Sequence, residues 1–299
     1  MIPAAFEYTR AASVEEALEL LAEHGFDAKL IAGGQSLLPL MKLRLARPER
    51  LIDIGPVQEL RGIRTLPDGR LAIGALTTYA QLLADPGVMR LALLADALPQ
   101  IADLQVRNRG TIGGSIAHAD PAADVPAVLL ALGVEVAARS SARGERSIAI
   151  DDFFLGPFAT ALEPDELLTE IVLPAPSGAF GSAYRRLEQQ ASGFAIAGVA
   201  AVVGQSGPAD GDRADDVRIA VTGVGDHPYR ATAVEAALHG GSLSETDITA
   251  AVEHVCDGVT VGSDIHAGRD YRAAMAKVMA RRALEAARDR LFASTPRPG

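Results

Sequence analysis

The groups best placed to do chemistry lie in residues 106–126, Val106-Arg107-Asn108-Arg109-Gly110-Thr111-Ile112-Gly113-Gly114-Ser115-Ile116-Ala117-His118-Ala119-Asp120-Pro121-Ala122-Ala123-Asp124-Val125-Pro126. So little bulk over so long a run makes the backbone itself the working surface. Successive N–H groups turned into one concavity hold an anion without any lysine, the physics of a phosphate nest. A matching piece lies upstream, Ile31-Ala32-Gly33-Gly34-Gln35-Ser36, where an apolar run meets a Gly pair and a polar pair. Two such nests suit two phosphates, or one pyrophosphate gripped from both sides. A Gly pair is also common in turns for conformational reasons alone. Neither stretch contains G-x-G-x-x-G or a phosphate-loop Lys-Ser/Thr, so a doubly wound dinucleotide domain and a nucleotide triphosphatase lose ground.

His118, Asp120 and Asp124 admit a catalytic or metal reading, and equally a plain one with Asp124 capping a helix and His118 on a loop. No His-x-x-x-His pair supports a metal site. Arg107 and Arg109 read either as phosphate contacts or as partners of surface carboxylates. Cys256 reads as core. Arg269, Arg272, Arg281 and Arg282 read as a solvated face of the last helix, or as a contact for another protein.

The elements that must position these groups follow from pattern. Ser13-Val14-Glu15-Glu16 is a capping box opening a helix at about 13–24 that Gly25 ends. Ala28–Ala32 and Leu51–Ile54 read as strands around a helix-like stretch beginning at Leu37. The segments Leu60–Thr65 and Arg70–Ala75 form a hairpin about Pro67-Asp68-Gly69. Thr77 caps a helix at about 78–84, residues 88–98 are helical, and a helix begins at Asp124 and ends at Gly133. Val134–Ala138, Ser147–Ile150 and Glu166–Leu173 are strands. After a linker, Pro174-Ala175-Pro176-Ser177-Gly178, come strands at Ser182–Leu187, Ile196–Val203 and Val217–Thr222, then helices at about 230–239, 244–257 and 269–293. Strands followed by helices describe an α+β unit with helices on an antiparallel sheet.

Composition bounds the function. The chain of 299 residues carries 28 basic and 38 acidic side chains, a net charge of −10, with 4% aromatics and no Trp, which argues against a nucleic-acid surface. One cysteine excludes an internal disulfide framework and an all-cysteine metal site. No basic segment followed by an apolar one opens the chain, and no apolar run approaches the roughly 20 residues that cross a bilayer, so a cytoplasmic protein is expected.

AGGQSLLPLMKLRLARPERLIDI at 32–54, VRNRGTIGGSIAHADPAADVPAVLLAL at 106–132, DFFLGPFATALEPDELLTEIVLP at 152–174 and YRAAMAKVMARRAL at 271–284 together resemble the medium, FAD-binding subunit of the molybdenum hydroxylases. That family includes aerobic carbon monoxide dehydrogenase, heterocycle dehydrogenases and the flavin region of xanthine dehydrogenase. The resemblance runs nearly end to end. It implies an α+β fold: an FAD-binding domain of the p-cresol methylhydroxylase type over 1–176, with subdomains at about 1–56 and 57–176, and a C-terminal domain of the carbon monoxide dehydrogenase flavoprotein type over 178–293. By resemblance, Ala32, Gly33, Gly34, Gln35 and Ser36 hold one side of the FAD pyrophosphate, and Thr111, Ile112, Gly113, Gly114 and Ser115 the other. Asp124 matches an acid that meets flavin-chain hydroxyls, Leu168 an apolar residue against the isoalloxazine, and Arg185 a basic residue near the ring.

The same resemblance implies an oxidoreductase subunit with no catalytic residue and no metal of its own. It would receive electrons from a small iron–sulfur subunit and pass them to an external acceptor, while a large subunit carries the molybdopterin cofactor, the whole forming a dimer of heterotrimers. Three departures stand out: Ser115 replaces a usual Asn, Gln189-Gln190 replace a basic pair, and Gly193 replaces an Asp. They motivate a second reading, a scaffold subunit of the same complex that has lost its flavin. A stand-alone flavin oxidase is the third.

Overall fold

The computed structural model describes residues 2–175, 178–205 and 213–294. Its first helix shows how closely local chemistry sets the boundaries. The Ser13 hydroxyl accepts the Glu16 amide at 3.1 Å, and the Glu16 carboxylate accepts from Ala12 rather than Ser13, so the reciprocal half of the cap falls one residue early. The stripe Val14, Ala17, Leu18 and Leu21 is buried. Gly25, at positive φ, ends the helix.

This helix, α1 (Val14–His24), lies between β1 (Glu7–Arg10) and β2 (Ala28–Ile31), and α2 (Leu37–Lys42) leads to β3 (Arg50–Asp53). The three strands pair in parallel in the order β1-β3-β2. Sequence pattern misses β1, because Glu7-Tyr8-Thr9-Arg10 is an edge strand without apolar alternation.

A second sheet begins with β4 (Ile63–Thr65) and β5 (Leu71–Gly74), the hairpin that the Pro-Asp-Gly turn foretells. A run of short helices follows: α3 (Tyr79–Ala84), α4 (Pro86–Met89), α5 (Ala92–Ala97), α6 (Leu104–Arg109), α7 (Ile112–His118) and α8 (Asp124–Leu132). Thr78, not Thr77, caps α3; Thr77 is buried and bonds to Gly62 instead. The chain returns through β6 (Glu135–Ser140), β7 (Gly144–Ala149), β8 (Phe154–Gly156), β9 (Ala159–Thr160) and β10 (Glu166–Leu173). The strand order is β4-β5-β10-β6-β7, all antiparallel.

The linker expected at 174–178 includes Pro176 and Ser177, which lie outside the described residues. Beyond it run β11 (Ala179–Glu188), β12 (Ala195–Gln205), β13 (Arg213–Ala214), β14 (Asp216–Thr222), β15 (Tyr229–Arg230), α9 (Thr232–Leu238), β16 (Gly241–Ser242), α10 (Glu245–Ala251) and α11 (Arg269–Ser294). The third sheet has the order β11-β12-β14-β15, antiparallel throughout.

One strand shows how this sheet joins the rest. In β12 the alternate residues Val199, Ala201 and Val203 pack with α11, while Ala200 and Val202 share a core with α8. That explains why α8 is apolar all round: it is enclosed between the second and third sheets. On the other face Gly181 lets α11 approach, since a side chain there would run into the Ala287 carbonyl. Of the last helix's arginines, Arg272 is not on a solvated face. It is buried and donates to the carbonyls of Ile196 and Gly223 and to the Asp264 carboxylate. Cys256 packs at the margin of the core. Among the described residues no helix is long and apolar enough to cross a membrane, and no cluster of His, Cys, Asp and Glu could hold a metal.

Candidate functional site

The loop between β2 and α2 is shaped by two glycines with different duties. Gly34 takes a left-handed φ of 71°, which turns the chain into α2. Gly33 is a matter of space: a Cβ there would stand 2.8 Å from the carbonyl carbon of Arg109 and 3.0 Å from the Cα of Gly110. Gln35 braces the turn by donating from its amide to the Gly33 carbonyl at 3.0 Å. Among the described residues, the backbone N–H groups of Gly33, Gly34, Gln35 and Ser36 donate to no protein acceptor. Four successive backbone donors in a partly exposed loop are thus left open, the groups from which an anion nest can be built.

The second glycine stretch differs from its sequence reading. Residues 104–109 and 112–118 are helical, with Gly110 and Thr111 extended between them, and Gly113-Gly114 occupy the first turn of α7. Its amides are already engaged: Ile112 donates to Thr77, Gly113 to Ala75, Gly114 to the Thr111 hydroxyl and Ser115 to the Thr111 carbonyl, at 3.0 to 3.1 Å. Gly113 is required for packing, since a Cβ would lie 2.6 Å from that of Ala75. What this stretch offers a ligand is its side chains and its exposed glycine face at Gly114, which looks toward Ala32. The structure therefore brings both stretches together, one presenting free amides and the other a small-residue wall.

Behind the wall, a polar path leads into the third sheet. Tyr79 packs against Gly110, donates its amide to the Gly110 carbonyl, and sets its hydroxyl beside Ser115 and near Asp124. Burial pushes that hydroxyl up to about 12. Asp124 is the first residue of α8, whose N-cap is Ala123, so its carboxylate does not cap. It is buried and accepts from the Tyr184 hydroxyl at 2.5 Å and from Arg186 Nη1 at 2.7 Å. Burial pushes its carboxyl upward, against the Arg186 guanidinium and the Tyr184 hydroxyl that stabilise the charged form. Tyr184 and Arg186 share one face of β11 by the two-residue period. Gly198 on β12 makes room, since a side chain there would strike the Tyr184 hydroxyl.

Arg185 points elsewhere. It donates to Asp96 at 2.9 Å, and Asp96 also takes both terminal nitrogens of Arg290 at 2.8 Å and the Tyr184 amide at 3.1 Å. Leu168 lies buried in the main core at a β-bulge, where the next residue, Thr169, accepts from Ala75. His118 ends α7 with its ring 5.1 Å from that of Phe158; burial, partly opposed by Asp120, lowers its pKa. Arg107 donates to the carbonyls of Ile101 and Ala102. Sequence reasoning missed Tyr79, Tyr184 and Arg186. Strand alternation was the available signal, since it pairs Arg186 with the buried Tyr184 and sets Arg185 apart.

The arrangement suits a ligand that places a pyrophosphate on free amides and extends a polar chain toward the Asp124 cluster. Residues 4–176 match the family described as FAD binding domain in molybdopterin dehydrogenase, and residues 182–287 match the CO dehydrogenase flavoprotein C-terminal domain. The carbon monoxide dehydrogenase medium chain of Hydrogenophaga pseudoflava is 43% identical over 96% of this chain and 98% of its own length. The caffeine dehydrogenase subunit beta of a Pseudomonas species is 35% identical, over 97% of each chain. A solved carbon monoxide dehydrogenase from Hydrogenophaga pseudoflava superposes with a TM-score of 0.91 at 43% identity, over 97% of this chain and 100% of that one. Quinoline 2-oxidoreductase from Pseudomonas putida superposes with a TM-score of 0.88 at 35% identity, over 97% and 99%.

Proposed function

Because this chain belongs to the FAD-binding subunits of the molybdenum hydroxylases, oxidoreductase subunits of molybdopterin-dependent dehydrogenases, we propose that it is the electron-transfer subunit of a heterotrimeric complex. It takes electrons from a small iron–sulfur subunit and delivers them to an external acceptor, while substrate is oxidised on a large molybdopterin subunit. FAD, when bound, supplies redox chemistry that accepts electrons singly and releases one or two.

The observation that carries this reading is the row of free amides at Gly33, Gly34, Gln35 and Ser36 in a loop packed against Arg109 and Gly110, with Gly114 turned toward Ala32. By family likeness Thr111, Ile112, Gly113, Gly114 and Ser115 hold the other side of the pyrophosphate. These donors are uncharged, which lets an acidic protein hold an anionic cofactor. Ala32 and the hydroxyls of Ser36 and Ser115 complete the cradle. The Asp124 carboxylate retains acceptor capacity for ligand hydroxyls beyond its bonds to Tyr184 and Arg186. Leu168 and Arg185 are assigned to the neighbourhood of the ring by family likeness. Nothing in the site calls for a general acid or base in this chain, so substrate turnover belongs to the partners. The test is an assay of the purified chain with organic substrates and an artificial acceptor. No oxidation is expected from the chain alone, and turnover by it would contradict the division of labour.

A further inference from the structure

The helix α7 has two faces with opposite duties. Ile112, Gly113 and Ile116 are buried, with Gly113 against Ala75. At about 100° per residue, Gly114 and His118, four positions apart, fall together on the side opposite that buried stripe. A Cβ on Gly114 would stand 3.9 Å from that of Ala32, so this outer face is the one that meets the loop of free amides. His118 continues the same face one turn further on, about 6 Å along the helix axis.

The His118 imidazole is partly exposed, and among the described residues its ring nitrogens bond to no protein group. The ring packs instead on Phe158, with centroids 5.1 Å apart and planes at 42°. Phe158 is 60% exposed and takes a left-handed φ of 55°, a conformation that costs a residue with a side chain. Its amide donates to the Ala119 carbonyl at 3.1 Å, and Ala119 ends α7 at a left-handed φ of 51°. Two strained residues thus hold each other, and between them they fix the ring of His118. Burial, outweighing the nearby Asp120 carboxylate, lowers the imidazole pKa, so at neutral pH the ring offers one N–H donor and one acceptor nitrogen.

Resting on the functional reading above, we propose that His118 is a cofactor-positioning residue, its imidazole hydrogen-bonded to a hydroxyl of the FAD sugar chain that adjoins the pyrophosphate. A chain that leaves the pyrophosphate at Gly114 and runs along the outer face of α7 reaches His118 within one helical turn. A hydroxyl both donates and accepts, so either nitrogen of the neutral ring can meet it. Phe158 serves as the prop that keeps the ring on this face.

The test uses the full chain and FAD itself, read by quenching of flavin fluorescence, with thermal unfolding of the FAD-free chain in parallel. His118→Phe keeps a ring against Phe158 but has no nitrogen to bond. It should unfold near the wild-type temperature and raise the FAD dissociation constant on the order of fivefold, as for one lost hydrogen bond. His118→Gln gives up the ring but keeps a donor and an acceptor, and should recover most of the affinity. His118→Ala, which lacks both, should bind as weakly as His118→Phe. His266→Ala, at an exposed histidine of the C-terminal domain, should change nothing. Should the alanine variant fail to fold, the other two decide. Wild-type affinity in folded His118→Phe, or a glutamine variant that binds no tighter than the phenylalanine one, overturns the assignment of His118 and leaves the functional reading intact. Absence of FAD binding by the wild-type chain overturns that reading and this inference together.

Discussion

Gly33 and Arg109 meet backbone to backbone: the Cα of Gly33 lies so near the Arg109 carbonyl that any side chain at 33 would collide with it. This contact fixes the free amides of the first loop against the wall formed by the second. Gly33→Ala is therefore expected to destabilise the chain by about 1–3 kcal/mol through overpacking and to lower its flavin content. Gly268→Ala, where a Cβ would meet nothing within 4 Å, should change neither. Thermal unfolding and flavin-to-protein ratios of the two variants check this.

The Tyr184 hydroxyl is one of two donors holding the buried Asp124 carboxylate. Tyr184→Phe leaves that oxygen unsatisfied and should cost about 1–3 kcal/mol. Gly198→Ala, which pushes the same hydroxyl away, should mimic it. Denaturant unfolding of the single and double variants should show effects that do not add, because both break one bond.

Much of this architecture was legible in the residues. Glu166–Leu173 is a strand with the bounds its apolar run suggests, and the Ser13 cap starts α1 where expected. The two glycine stretches stand out in the sequence, and the structure sets them against each other, Gly33 on Arg109 and Gly114 toward Ala32, but their different duties are not legible there. Gly113-Gly114 suit a backbone nest rather than a helix, because glycine is a poor helix former. Tertiary contacts decide otherwise, with Gly113 needed against Ala75 and Thr111 capping the turn. Strand alternation puts Tyr184 and Arg186 on one face of β11, but their bonds to Asp124, 60 and 62 residues away in the chain, are encoded by no local pattern.

Asp96 receives Arg290, Arg185 and the Tyr184 amide. Burial alone would raise its pKa, but Arg290, the Tyr184 amide and Arg185 together hold it below the ordinary value. Its stabilising contribution is thus complete above the unfolded value near 3.9 and is lost as the pH falls through the lower folded value. Unfolding temperature should drop steeply below about pH 4, and the Asp96→Asn variant should be less stable at neutral pH yet lose less on acidification. Equal acid slopes in the two proteins would remove Asp96 from this account.

Thr111 accepts the Gly114 amide at 3.1 Å. Thr111→Ala should cost about 1 kcal/mol as the loss of an N-cap and loosen the wall beside Ala32. The checks are thermal unfolding and the FAD dissociation constant, which should rise. Thr111→Ser keeps the hydroxyl and should restore both.

The central claim is that this chain holds FAD without a covalent link, on the amides of Gly33, Gly34, Gln35 and Ser36. The most direct test is the visible absorption spectrum of the purified chain before and after dithionite, with FAD sought in the supernatant after heat denaturation. The account predicts the two visible bands of oxidised flavin, their bleaching on reduction, and release of intact FAD. A colourless chain that takes up no added FAD, alone or co-purified with its partner subunits, would contradict it and favour the flavin-free scaffold.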